Sequence, residues 1–279
     1  MKPPPPTTSD PFSELRRQLS NQIACASHPA VNRQCTTPLE AEQWEKCFGS
    51  CTPDARREHL RWLALNDLYY LVVQILGVKS IKTQWHLERC REVEQNCDGI
   101  IDLWTRSSGK SIIKTFGRVI QEILRNPEIT IGLAAHKSPI AKSFLKPIKT
   151  TFESHELLRW LWPDVIYENP KDSPSWSMDG GITVKRKTVT MSEATIEAWG
   201  LIDGQPTRKH YELLVYDDIQ QGRESEYMIQ KIDDELQTST GLSASKPPRW
   251  WMNGVFFRGG SVYENLIERN FGIGRVRPA

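Results

Sequence analysis

The chain has 279 residues, 38% of them hydrophobic and 25% charged, so it carries enough apolar material for a packed core and its middle is not of disordered composition. Lysine and arginine total 36 against 34 for aspartate and glutamate, and the net charge of +2 neither requires nor excludes a nucleic-acid partner. No apolar run approaches the roughly 20 residues of a membrane-spanning helix, and Met1 leads into prolines rather than a signal peptide. We therefore expect a soluble, intracellular protein.

Three regions follow one another along the chain. Residues 1–11 are rich in proline and are expected to form a disordered tail. Residues 12–98 are predicted to form a helical N-terminal region, in which residues 56–76 carry apolar side chains close to helical spacing. Residues 99–279, where the pattern changes, are predicted to form the core beside which these helices pack.

All six cysteines precede the core, namely Cys25, Cys35, Cys47, Cys51, Cys90 and Cys97. Cys47 and Cys51 can be combined with Cys25 and His28 into a zinc site on paper. The paired short knuckles typical of structural zinc are missing, however. We expect ordinary reduced thiols.

Buried apolar runs alternate with helical segments from residue 99 onwards. We predict strands at residues 99–104, 129–135, 182–187, 195–199, 212–216 and 250–256, and helices at about residues 110–125, 139–152 and 224–236. Strands that alternate with helices imply a mostly parallel sheet with helices on both faces. The predicted fold class is therefore α/β.

A Gly109-Lys110-Ser111 triplet stands between the first predicted strand and the helix after it. A phosphate-binding loop needs backbone N–H groups and a helix N-terminus that face the anion, a lysine for the outer phosphates and a hydroxyl for Mg²⁺. The triplet supplies the second half of that pattern, whereas Trp104 stands where the first glycine is expected. Such triplets also occur in ordinary surface turns, so the strand–turn–helix context carries the prediction.

Two acids, Asp217 and Asp218, directly follow the buried run of residues 212–216. A buried strand that ends in carboxylates places them at the carboxyl edge of the sheet, where open α/β folds bind their ligands. We predict that Asp217 binds Mg²⁺, directly or through water, and that Asp218 polarises the attacking water. Taken alone, the pair can equally be the solvated end of a strand.

With the blocks between them, these motifs resemble the ATPase domain of tailed-phage terminase large subunits from Asp67 to about Arg269. In that family the loop often lacks its first glycine and carries an arginine, as Trp104 and Arg106 do here. Residues 129–149, 182–187, 194–204, 210–219 and 253–263 resemble successive blocks of the family. The resemblance implies a P-loop NTPase (RecA-like) fold and a motor that hydrolyses ATP with Mg²⁺ to move double-stranded DNA.

The resemblance also assigns roles to individual residues. ATP binding falls to the loop residues Arg106, Ser107, Ser108, Gly109, Lys110 and Ser111. Metal binding falls to Ser111 and Asp217, and catalysis to Arg106, Lys110 and Asp218. A coupling segment comprises Asn253, Gly254 and Val255.

Three departures from the family pattern concern hydrolysis and coupling. Val255 replaces the usual coupling threonine, and Arg258 and Ser261 replace a histidine and an aspartate. Asp218 stands where many relatives have glutamate. No nuclease domain is expected, because only residues 270–279 follow Arg269.

The partners implied are double-stranded DNA, the portal protein, the terminase small subunit and further copies in a ring, in the host cytoplasm at the procapsid portal. One face of the helix predicted at residues 139–152 carries three lysines, Lys142, Lys146 and Lys149. Further basic residues are Lys137, residues 185–187 and residues 208–209. This basic set either contacts DNA, supplies charge to a neighbouring site or forms a solvated surface. The alternatives to a packaging motor are a helicase-like nucleic-acid translocase and a nucleotide-binding scaffold with decayed hydrolysis. A helicase would normally require a second RecA-like domain.

Overall fold

The computed structural model describes residues 33–48, 51–188, 192–222, 224–255 and 260–277. The predicted tail at residues 1–11 and Arg258 of the coupling segment lie outside the described residues. Within them, the strands are β1 (Ile100–Trp104), β2 (Ile131–Ala135), β3 (Trp176–Ser177), β4 (Gly181–Ile182), β5 (Ile196–Gly200), β6 (Leu213–Asp217), β7 (Trp250–Gly254) and β8 (Ile273–Arg277). They form one sheet in the order β3-β4-β5-β2-β6-β7-β1-β8.

The sheet is mixed but mostly parallel. Every neighbouring pair from β5 to β8 in that order is parallel, whereas β3 and β4 pair antiparallel at one edge. Strand β7 therefore lies between β1, which precedes the Gly109 triplet, and β6, which ends in the acids. The carboxyl ends of these three strands meet at the same edge.

The helices begin with α1 (Pro38–Phe48), α2 (Pro53–Asn66), α3 (Leu68–Tyr70, continued by a π-helical turn at Leu71–Ile75) and α4 (Gln84–Gln95). The loop helix follows the triplet and consists of a π-helical part, Ile112–Arg118, and α5 (Val119–Arg125). The remaining helices are α6 (Ser138–Ser154), α7 (Glu156–Leu161), α8 (Glu226–Thr240) and α9 (Val262–Glu268), with a 3-10 turn at Pro170–Asp172. No described helix has both the length and the apolar character needed to cross a membrane.

Helices cover both faces of the sheet, as predicted. On β6, Leu213 and Val215 join an apolar cluster formed with the N-terminal helices, the loop helix, α6 and α7. The alternate residues Leu214 and Tyr216 join a second cluster with α8 and α9. Because successive strand residues point to opposite faces, one buried strand contributes to both layers of the core.

Two strand predictions differ from the structure. Of residues 182–187, only Ile182 lies in a strand, in the short β4. Strand β8 was not predicted, because Ile273 and Val276 are exposed and it lacks a buried apolar run. Instead, Arg275 of β8 donates from Nε and Nη2 to the two carboxylate oxygens of the buried Asp102 of β1, at 2.5 and 2.7 Å.

Asp67 breaks the single helix that residues 56–76 suggested. This buried residue ends α2 and caps α3, where its carboxylate accepts the Tyr70 backbone N–H at 2.8 Å. Arg91 of α4 binds the same carboxylate at 2.8 and 3.0 Å, and the Cys35 backbone N–H donates to it at 2.8 Å. One buried charge thus joins three segments of the N-terminal region.

The prediction of reduced thiols holds for three of the cysteines and fails for one. Cys35, Cys90 and Cys97 are free and buried. Cys51 is disulfide-bonded, which corrects the prediction at that position. Cys51 lies between the end of α1 and the start of α2, so it is not held inside a helix as Cys90 is. Among the described residues, no group of three or more His, Cys, Asp or Glu side chains is arranged to hold a metal.

A row of polar residues crosses four neighbouring strands on the face covered by the loop helix. Its members are register neighbours in the order Arg275 of β8, Asp102 of β1, Asn253 of β7 and Asp217 of β6. Asp102, Asn253 and Asp217 are all fully buried. Buried polar groups are costly unless paired, so the partners of this row constrain the loop helix above it.

Asp102 is neutralised from two sides. The Lys114 ammonium of the loop helix lies 2.5 Å from its carboxylate, opposite the Arg275 guanidinium. Burial alone would raise the pKa of Asp102, but the two cations outweigh it and hold that pKa below its ordinary value. The pair with Lys114 fixes the loop helix to β1.

This cluster predicts a large stability cost for Lys114→Met. Removing one partner of a buried ion pair typically destabilises by about 3 kcal/mol or more, and Asp102 would lose one of its two counter-charges. Urea unfolding should show that loss for Lys114→Met, whereas Lys146→Met, on the exposed face of α6, should change the midpoint little. Equal stabilities of the two variants would contradict the structural role of the Asp102 cluster.

Candidate functional site

A cavity of about 570 Å³ lies across the carboxyl ends of β1, β2, β6 and β7. It is lined by Arg106, Ser107, Lys110, Ile140, Asp218, Gln220, Gln221 and Val255. Its volume is in the range of about 300–1,000 Å³ that is usual for small-molecule sites. The predicted loop and the predicted acids therefore face a common space.

Residues 105–111 form a tight loop between β1 and the loop helix. Ser107 and Gly109 both adopt left-handed backbone conformations, with φ of 60° and 79°. A Cβ atom on Gly109 would also lie 2.5 Å from the Ile81 side chain, so the N-terminal region packs directly on the loop. Ser108 turns back into the loop, where its hydroxyl donates to the Thr105 carbonyl at 2.6 Å.

Trp104, which stands at the position of the missing glycine, anchors the loop from below. Its ring is fully buried and meets the ring of Trp85 edge-on, with centroids 5.6 Å apart. Its indole N–H donates to Asp102 at 3.1 Å. The tryptophan thus fixes the end of β1, while Ser107 and Gly109 form the tight bend of the loop.

Lys110 and Asp218 face each other across the cavity. The Lys110 ammonium lies 3.0 Å from an Asp218 carboxylate oxygen. Asp218 has a φ of 50°, a left-handed conformation that a non-glycine residue adopts only when its surroundings hold it there. Backbone bonds hold it on both sides, from its N–H to the Asn253 carbonyl and from the His136 N–H to its own carbonyl, each 3.2 Å long.

Asp217, the last residue of β6, is fully buried beneath the loop helix. The Thr115 hydroxyl donates to one of its oxygens at 2.5 Å, and Ser111 also hydrogen-bonds to its carboxylate. The Asn253 amide N–H donates to the Thr115 oxygen at 2.7 Å. The loop helix therefore contacts both β6 and β7 through Thr115.

Burial raises the pKa of Asp217 to about 6, and the neighbouring Asp218 carboxylate adds to that effect. Lys110, Thr115 and Ser111 act in the opposite direction but do not offset it. The charged form of Asp217 is thus underpaired in this structure. A buried acid with a perturbed pKa beside a cavity is a common feature of functional sites.

The residues around Asp217 fit a magnesium ion. Asp217 Oδ1 and Asn253 Oδ1 are both buried and without a hydrogen-bond partner in the described part of the chain. Carboxylate, amide and hydroxyl oxygens are the ligands that Mg²⁺ prefers, usually as one or two carboxylates completed by water and substrate phosphate. Ser111 and Asp217, the predicted metal ligands, are neighbours as that role requires.

The structure brings most of the predicted site residues together and separates a few. Arg106, Ser107, Lys110, Asp218 and Val255 share the cavity. The coupling residues diverge, because Asn253 faces the loop helix while Gly254 packs against the Tyr263 ring of α9. Ser261 is the N-cap of α9, in a capping box with Glu264.

Several residues at the site were missed by the sequence analysis. Thr115 lies four residues after Ser111, so helical spacing places the two hydroxyls on one face and was the available signal. Gln220 lines the cavity and accepts the Val262 backbone N–H of α9 at 2.9 Å. His136, buried at the end of β2, binds the Ile219 carbonyl at 3.0 Å. Nothing in the local sequence pattern marks these last two.

Three lysines of the predicted basic surface are ion-paired. Lys142 pairs with Asp179 at 2.5 Å, Lys149 pairs with Glu153, and Lys209 pairs with Glu197 at 3.0 Å. Lys137, Lys146, Lys187 and Arg208 are exposed. Charge for a polyanion would therefore come from these four more than from the paired lysines.

Comparison with protein-family models and with curated proteins finds no match to this chain. The functional assignment depends on the geometry of the cavity, on the chemistry of its residues and on the motifs that they form.

The raised pKa of Asp217 predicts that Asp217→Asn stabilises the nucleotide-free protein. Above pH 6 the buried carboxylate is charged in the folded state at a cost, and the cost fades as pH falls towards 4, where both states bind the proton. In EDTA at pH 7, the free energy of unfolding should rise by about 2 kcal/mol in the variant. The gain should shrink at pH 4.5, and a variant that is less stable at both pH values would contradict this account.

Proposed function

We propose that this chain is an ATP-hydrolysing motor domain of the kind that packages viral DNA. The observation that carries the proposal is the convergence of Lys110, Arg106 and Asp218 on one cavity at the carboxyl edge of the sheet, with Ser111 and Asp217 paired beside it. A phosphate-binding loop on one strand and paired acids on a second, with a third strand between them, is an arrangement suited to a P-loop NTPase of the RecA-like type.

In this proposal the loop holds the phosphates of ATP. The left-handed turns at Ser107 and Gly109 give the loop the bent backbone typical of anion-binding nests, and the loop helix points its N-terminus the same way. Lys110 leaves Asp218 and contacts the outer phosphate oxygens. Arg106, which is exposed on the cavity wall, adds positive charge where negative charge develops during transfer.

Ser111 and Asp217 are the residues that would hold Mg²⁺, which neutralises phosphate charge when it is bound. Asp218, released by Lys110, accepts a hydrogen bond from the attacking water and orients it for in-line attack on the γ-phosphate. Its left-handed backbone, fixed by β7 and by His136, limits where the short carboxylate can reach. Val255 lines the same cavity and replaces the threonine that the resemblance implies, so sensing of the γ-phosphate falls to other residues.

The partners belong to the same proposal and derive from the resemblance to terminase large subunits. Double-stranded DNA is the substrate that is moved, and a homo-oligomeric ring, the portal protein and the small subunit complete the assembly. With a net charge of +2, the isolated chain should bind DNA weakly and with a steep dependence on salt. The exposed residues Lys137, Lys146, Lys187 and Arg208 are the first to substitute in a DNA-binding test.

The proposal predicts different effects for the two residues of the ion pair. Lys110→Ala should abolish ATP turnover and weaken ATP binding. Asp218→Asn should bind ATP at least as tightly as the unmodified protein, because Lys110 no longer has a competing partner, yet lose turnover by roughly a hundredfold or more. Phosphate release and equilibrium binding of ATP measure the two effects separately.

Lys79→Ala, at an exposed lysine outside the cavity, is the control and should match the unmodified protein. Unchanged turnover in Lys110→Ala would remove the phosphate-loop assignment. ATP binding without turnover in the unmodified chain, with or without DNA, would favour the nucleotide-binding scaffold instead. Strand displacement would favour the helicase-like translocase.

A further inference from the structure

The hydroxyl of Thr115 connects two buried polar groups on neighbouring strands. It contacts an Asp217 oxygen at 2.5 Å and the Asn253 amide nitrogen at 2.7 Å. Asp217 and Asn253 are register partners on β6 and β7, so the threonine bridges the two strands from above. All three residues are almost completely buried.

The chemistry of the three groups fixes the direction of each hydrogen bond. A threonine hydroxyl has one proton to donate, and an ionised carboxylate can only accept. The Thr115 proton therefore goes to Asp217, and Asn253 must present its N–H to the lone pair of Thr115. This orientation leaves Asp217 Oδ1 and Asn253 Oδ1 as the two unpaired oxygens.

Strand β7 has a direct connection to the outer layer of helices. A Cβ atom on Gly254 would lie 2.3 Å from the ring of Tyr263, so the end of β7 packs tightly against α9. Gln220 on the cavity wall also accepts a hydrogen bond from the first residue of α9, Val262. The residue that follows Asn253 on β7 is therefore packed directly against α9.

We propose that Thr115 is a positioning residue that orients Asp217 for the metal and carries a change at the phosphates through Asn253 into β7 and α9. This inference rests on the proposed function, since it presumes that Mg²⁺ and nucleotide bind beside Asp217. Thr115 itself is not among the residues that line the cavity. As a β-branched residue packed in a helix it has few side-chain rotamers, which suits a group that must hold one orientation.

The test is equilibrium binding of fluorescently labelled ADP, measured once with Mg²⁺ and once with EDTA. Thr115→Val keeps the shape of the side chain but removes the hydroxyl, and it should weaken binding in Mg²⁺ by roughly tenfold or more, as is common when a partner of a metal ligand is lost. Binding in EDTA should stay within about twofold, because the nucleotide contacts of the loop are intact. Thr115→Ser should restore most of the Mg²⁺-dependent affinity.

Thr195→Val is the matched control, because Thr195 is also fully buried but lies beside β4 and β5, where its hydroxyl accepts the Val184 backbone N–H. It should bind ADP like the unmodified protein in both conditions. Asn253→Leu should weaken Mg²⁺-dependent binding less than Thr115→Val does, and the double variant should be no weaker than Thr115→Val alone, since both substitutions interrupt one chain of hydrogen bonds.

Three results would overturn the role of Thr115: unchanged Mg²⁺-dependent binding in Thr115→Val, an equal loss in Mg²⁺ and EDTA, or a serine variant as impaired as the valine variant. These outcomes differ from a failure of the proposed function, in which the unmodified protein would bind no ADP in either condition. Thermal unfolding of each variant identifies any that fail to fold, and the serine variant keeps the test decisive in that case.

Discussion

Buried charge in the centre of the sheet constrains the whole molecule. The polar row from Arg275 through Asp102 and Asn253 to Asp217 would be costly beneath a purely apolar helix. Two successive residues of the loop helix pair with different strands, Lys114 with Asp102 of β1 and Thr115 with Asp217 of β6. The helix is thereby held over β7, and the loop that precedes it faces the acids.

The two acids of the polar row, Asp102 and Asp217, differ in how well their charges are paired. At Asp102 two cations neutralise the charge, and the result is a fixed support for β1 and β8. At Asp217 the carboxylate is underpaired, and its pKa is raised to about 6. In the proposed function, a bound cation would supply the counter-charge that Asp217 lacks in this structure.

Much of this architecture can be predicted from sequence, because β1, β2, β6 and β7 are buried apolar runs with distinct helical segments between them. The Gly109 triplet and the two acids can be located because each directly follows such a run. Strand β8 cannot, since charge pairs rather than apolar burial hold it. Thr115 carries only one local signal, its four-residue spacing from Ser111, because its partner Asp217 lies 102 residues later in the chain. The break at Asp67 could not be predicted either, because this buried acid is held by partners that are distant in the sequence, Arg91 and the Cys35 backbone N–H.

We propose that nucleotide binding exchanges the Lys110–Asp218 ion pair for contacts with phosphate and metal. A crystal structure with Mg²⁺ and a non-hydrolysable ATP analogue tests it most directly. We expect that the Lys110 ammonium, now 3.0 Å from Asp218, moves to the phosphates, and that the metal lies against Ser111 and Asp217. An analogue bound elsewhere, or one bound in this cavity with the ion pair intact, would contradict it.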